Sequence, residues 1–127
     1  MALLLGNEIR RLASGVTVNP FSATAYPVYT APAANAVVLT KLVLRCTAAN
    51  SVSVPASAKV EITGGGGDIF AEEVLLSVVS VNDTWVFVAE ARGLVVPATT
   101  QIDVVVTNPA TGTSQTLLAD VFGYVVF

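Results

Sequence analysis

Between Thr40 and Thr47 polar and apolar side chains alternate: Lys41 and Arg45 occupy one parity, and Leu42, Leu44 and Cys46 the other. A pleated strand sends successive side chains to opposite faces, so this period of two predicts a strand with one buried and one wet face. It extends back to Val37. Pro32 in the preceding Tyr29-Thr30-Ala31-Pro32-Ala33 cannot donate a ladder hydrogen bond and marks the strand's entrance. Gln101–Thr107 repeats the pattern, with Ile102, Val104 and Val106 inward and Asp103 and Thr107 outward. In Trp85-Val86-Phe87-Val88 the two aromatics share a parity and are expected on the core face, although a surface patch built on them is an alternative.

Other stretches read as strands by composition. Ala23–Thr30 is rich in strand formers, but Pro27 confines it to an edge or a bulge. Val52, Val54, Val60 and Ile62 carry the signal past Pro55, with Lys59 and Glu61 on the polar parity of the second piece. Val74–Val81 is apolar at nearly every position, which predicts a strand buried on both faces. Leu117–Phe127 is apolar on both parities, so it should be central or covered by another subunit. Asn19-Pro20, Ala48–Ser51, Asn82–Thr84 and Arg92-Gly93 read as turns, and Asn108–Thr113 as a hairpin-like connection. Gly64–Gly67 has no following Lys-Ser or Lys-Thr and no helix pattern, so it is a flexible loop and not a phosphate cradle.

This spacing of turns predicts an all-β fold, an antiparallel β-sandwich or jelly roll over residues 19–127. Residues 1–18 precede it. Leu4, Leu5, Ile9 and Leu12 would share one face of a short helix, but Gly6 and Ser14-Gly15 bracket it closely, so an extended arm, a frayed end or a short edge strand fits equally. As an arm, the segment would place its leucines and the Arg10-Arg11 pair on a neighbouring subunit.

Composition narrows the function. Of 127 residues, 54% are hydrophobic and only 12% charged, too little charge to cover a monomer in the usual mixed way, so apolar faces shared with other chains are expected. The net charge of −3, with 6 scattered Lys and Arg, argues against nucleic acid as a partner. No apolar run approaches the roughly 20 residues of a membrane helix, so no membrane partner is expected. Met1–Leu5 lacks the basic leader and length of a secretion signal. Asn82-Asp83-Thr84 matches a glycosylation acceptor, which matters only in a secretory pathway.

Catalytic chemistry finds little to work with. The chain has no histidine, which removes the commonest general base and metal ligand. Glu72-Glu73 is the one adjacent carboxylate pair, and in an extended strand its members point to opposite faces. Asp68, Asp83, Asp103 and Asp120 lack the spacing of a calcium loop. The single Cys46, on an apolar parity, reads as a core residue and excludes an internal disulfide. No enzyme, cofactor or metal is expected.

Tyr29-Thr30-Ala31-Pro32-Ala33 with the strand after it, and Val96-Pro97-Ala98 leading into Gln101–Thr107, resemble segments of the small β-sandwich accessory proteins of tailed-bacteriophage virions. The likeness covers residues 24–127. It implies a virion component assembled in the host cytoplasm: a capsid decoration or cement subunit that self-associates, by analogy as a trimer, and bridges major capsid proteins. A neck, tail-ring or fibre-attachment subunit is the alternative within the virion, and a carbohydrate-binding sandwich using Trp85, Phe87 and a loop-end groove the alternative outside it. The residues expected to meet a partner are Leu4, Leu5, Ile9, Arg10, Arg11, Tyr26 and Phe127.

Overall fold

The computed structural model describes residues 9–63, 73–89 and 93–126. Within them the chain forms strands β1 (Arg10–Val18), β2 (Ala25–Thr30), β3 (Val37–Ala49), β4 (Val52–Val54), β5 (Ser57–Thr63), β6 (Val74–Leu75), β7 (Thr84–Val88), β8 (Leu94–Val96), β9 (Gln101–Asn108), β10 (Thr111–Gly112) and β11 (Gln115–Val125).

One sheet has the order β1-β11-β3-β7, with β8 beside β7 on the same edge of β3; the second runs β2-β9-β5-β6. All pairs are antiparallel and they nest. Val16 faces Ala119, Tyr26 faces Val104, Leu44 faces Trp85 and Ala58 faces Val74, as in one long hairpin rolled over onto itself. Rolling inserts β11 between β1 and β3, and β9 between β2 and β5. This connectivity is the jelly roll, in which a single rolled hairpin supplies both sheets of a sandwich.

The core lies between the sheets. From one side come Val37, Leu39, Leu42, Leu44, Cys46, Leu117, Ala119 and Val121, and from the other Val60, Ile62, Ile102, Val104 and Val106. Each of the larger side chains contributes about 1.5–3 kcal/mol on burial. A bulge in β3 keeps the two halves of that strand in phase: Phe122 pairs with Lys41 and Gly123 with Leu39, leaving Thr40 as the extra residue. Val37 and Leu39 before it and Leu42, Leu44 and Cys46 after it therefore all point inward despite opposite parity. Thr40 Oγ1 donates to the Phe122 carbonyl at 3.0 Å, and the Thr40 carbonyl accepts the Ala89 N–H at 2.9 Å, so the bulge is hydrogen-bonded on both sides.

Several expectations meet this structure directly. Pro27 lies on an edge strand beside a register shift, and β11, apolar on both parities, is central. Lys59 and Glu61 form an ion pair at 3.2 Å. The oligoglycine loop falls outside the described residues.

Four readings are decided or corrected by the structure. Of the alternatives open for the N-terminal segment, Arg10–Val18 takes the edge strand and not the helix: β1 is paired along β11 and accommodates Gly15 at φ +66° in a bulge. Val74–Val81 is not a strand buried on both faces, because only Val74 and Leu75 pair, at the outer edge of their sheet. Beyond them the chain crosses the side of the sandwich with Leu76 and Val78 in the core and Val79 and Val81 exposed. Asn108–Thr113 is not a hairpin between sheet neighbours. It carries the chain from one sheet to the other, and β10 pairs with β4 on the way. Asp103 faces away from the core, as its parity requires, yet it is only 2% exposed. Gln101 Nε2 donates to its Oδ1 at 2.8 Å, on the central strand β9.

Candidate assembly surface

The face of the β1-β11-β3-β7 sheet turned away from the core is built by the parity left over once the core is filled. Because Trp85 and Phe87 pair with Leu44 and Leu42 and pack inward, Val86 and Val88 of β7 point outward. They pair with Val43 and Lys41, and on the neighbouring edge Val95 of β8 pairs with Val38. These three valines are exposed: Val88 by 68%, Val95 by 62% and Val86 by 44%. Half-buried Leu118, Phe122 and Tyr124 of β11 continue the apolar surface toward β1.

Charges cross this surface without breaking it up. Lys41 Nζ sits 4.6 Å from the centre of the Phe122 ring, a cation held over an aromatic face. Asp120 is buried beneath, accepting the Gly15 N–H at 2.8 Å, with Arg45 Nη2 at 3.9 Å. The carboxylate thus ties the β1 bulge to β11, while the guanidinium stays half exposed. Exposed valines beside the Lys41 and Arg45 cations have a chemistry that suits burial against another protein.

The anticipated contact residues divide into two groups and a remainder. Ile9, 61% exposed, and exposed Arg10 and Arg11 cluster where β1 begins, with Arg11 opposite Phe122. Tyr26 is half-buried on β2, whose edge adjoins β1, and its hydroxyl donates to the Asn19 carbonyl at 3.0 Å. Leu4, Leu5 and Phe127 lie outside the described residues. Sequence reasoning missed Val86, Val88 and Val95. The first two were readable as the complement of the Trp85 and Phe87 parity; Val95 was not, because its place beside Val38 depends on the roll. Trp85 and Phe87 are half-buried and pack against the core.

Among the described residues no group of three or more His, Cys, Asp and Glu side chains is placed to hold a metal ion. Cys46 is fully buried, with Gln115 Nε2 3.7 Å from its Sγ. One hydrogen-bonded turn stands out near β7: Asp83 Oδ2 accepts the Val79 and Ser80 N–H groups at 3.1 and 2.8 Å, and Asn82 adopts φ +75°.

The fold and this surface define an antiparallel jelly-roll domain that, among the described residues, exposes valines on one sheet face. The fold is similar to that of a chain in the solved structure described as the cyanophage Pam1 capsid asymmetric unit, with a TM-score of 0.56 and 17% sequence identity, covering 94% of this chain and 86% of that one. No family model matches the sequence, and no curated protein matches it either.

Proposed function

We propose that this protein is a non-enzymatic structural subunit of a bacteriophage virion, and within the virion a decoration or cement subunit that associates with copies of itself and bridges major capsid proteins. The observation that carries the reading is the exposed Val86–Val88–Val95 surface on a jelly-roll sheet whose opposite face is already committed to the core. The fold likeness to a chain of a phage capsid asymmetric unit, over nearly the whole of both chains, supports the same reading. Ile9, Arg10, Arg11 and Tyr26 flank the β1–β2 side of the sandwich, and together with Leu4, Leu5 and Phe127 they are the proposed contacts to neighbouring subunits. A trimer is the proposed closed assembly, in which one surface patch meets a different patch around a rotation axis. Repetition over a lattice then makes weak single contacts add up.

Sedimentation of the purified protein, and its co-sedimentation with capsid shells lacking it, test the proposal. A strict monomer that leaves such shells bare would refute it. Copy number in purified particles separates a decoration subunit, present throughout the capsid lattice, from a neck or tail subunit confined to one vertex. Deleting Met1–Glu8 leaves β1 whole and tests the arm: loss of association is expected, and unchanged association would remove Leu4 and Leu5 from the contact set.

A further inference from the structure

A second feature lies at one end of the sandwich, apart from the valine surface. The end of β1, the turn after it and the chain entering β11 form an open pocket of about 380 Å³ lined by Thr17, Val18, Asn19, Phe21 and residues 113–116. Its walls are fixed from behind. Val18 pairs with Leu117 and is fully buried, and Gln115 is buried with Nε2 donating to the Val78 carbonyl. Asn19 Oδ1 accepts the Phe21 N–H at 3.0 Å, and the Pro20 carbonyl accepts the Ala110 N–H at 2.8 Å. Ser114 Oγ is held by Asn50 Nδ2 at 2.9 Å. Binding to such a pocket needs little ordering of the protein.

The chemistry of the lining selects a ligand class. Among the described residues no Asp, Glu, Lys or Arg lines it, so none of them compensates a phosphate, a carboxylate or an ammonium group. The Thr17, Thr113 and Thr116 hydroxyls make no hydrogen bond to another described residue, and Ser114 keeps a donor after accepting from Asn50. Each hydroxyl can both donate and accept, the pattern that a polyhydroxylated ligand matches group by group. Phe21 supplies one apolar wall, and the volume lies at the small end of the range for ligand pockets. We propose that this pocket binds a neutral sugar ring, through the Thr17, Thr113 and Thr116 hydroxyls and the Phe21 ring.

Backbone amide NMR of the full chain, titrated with methyl glycosides of glucose, galactose, mannose and N-acetylglucosamine and with glucuronate as the charged control, tests this directly. Saturable shifts confined to the β1 end and residues 113–116 are expected with at least one neutral glycoside and not with glucuronate. Thr17→Val and Thr116→Val should each weaken binding several-fold to about tenfold, the range for one neutral hydrogen bond, with an unchanged thermal midpoint. Thr113→Ala, in an exposed connection, serves as the variant least able to disturb folding. The proposal is overturned if no neutral glycoside gives saturable shifts up to about 10 mM, tenfold above a 1 mM Kd. Shifts centred elsewhere, equal binding of glucuronate, or variants that bind like wild type would also overturn it. None of these outcomes depends on whether the protein joins a capsid.

Discussion

The double substitution Val86→Asp with Val88→Asp tests the assembly surface most sharply. Both side chains point away from the core, and their exposures of 44% and 68% amount to roughly one fully exposed valine per subunit. Burying that area against a neighbour contributes about 1.5–3 kcal/mol, and a carboxylate left unpaired in the contact adds several more against association. Since about 1.4 kcal/mol is tenfold in an equilibrium constant, the double variant should weaken self-association and shell binding by at least about a thousandfold. The neutral pair Val86→Ser with Val88→Ser should lose about ten- to a hundredfold. Folding should suffer far less, by about 1 kcal/mol per site, the span of strand propensity. Sedimentation velocity and shell co-sedimentation report the first effect, and urea unfolding the second. Leu75→Asp, at a side chain 55% exposed on the other sheet, is the control and should leave association intact. Wild-type association in the double variant, or an equal loss from Leu75→Asp, would refute the assignment of the contact to this face.

Further outcomes follow from local geometry. A Cβ at Gly123 would collide with the Val38 carbonyl in the middle of the sheet, so Gly123→Ala should cost about 3 kcal/mol in urea unfolding. Gly15→Ala, whose Cβ would meet only Leu118 Cδ1 at an ordinary contact distance of 3.9 Å and whose left-handed φ is the remaining penalty, should cost about 1–2 kcal/mol. Asp120→Ala strands the Gly15 N–H and should destabilise by about 1–3 kcal/mol. Arg45→Ala, removing a half-exposed partner 3.9 Å away, should cost under about 1 kcal/mol; equal losses would show that the ion pair, not the amide contact, holds the bulge. Burial pushes the Tyr29 phenol above its ordinary 10.0. The folded state therefore holds that proton more tightly than the unfolded chain, so this stability is complete below pH 10 and falls as pH rises through the folded value. Tyr29→Phe should flatten the alkaline decline in urea midpoint, and an unchanged decline would assign it to other groups.

What the sequence determined by itself is local. Alternation in Val37–Thr47, Gln101–Thr107 and Trp85–Val88 was enough to define strands and their inward side chains, because the pleat converts parity into facing without reference to the rest of the chain. Pro27 announced an edge, and the doubly apolar Leu117–Phe127 announced a central strand. Tertiary structure decided everything that depends on which strands meet. Val74–Val81 carries the composition of a buried strand, but the roll puts it at an open side, where three of its four valines face solvent. Asp103 lies on the polar parity, yet its position on the central strand β9 takes it out of water. Asn108–Thr113 has the residues of a hairpin turn but spans two sheets. Residues 17–21 and 113–116 make one pocket because β1 closes against β11 from the far end of the chain, and Val95 joins Val86 and Val88 because β7 and β8 share an edge of β3. Parity is a property of neighbours along the chain, whereas exposure is set by neighbours across it, which non-local pairing alone supplies.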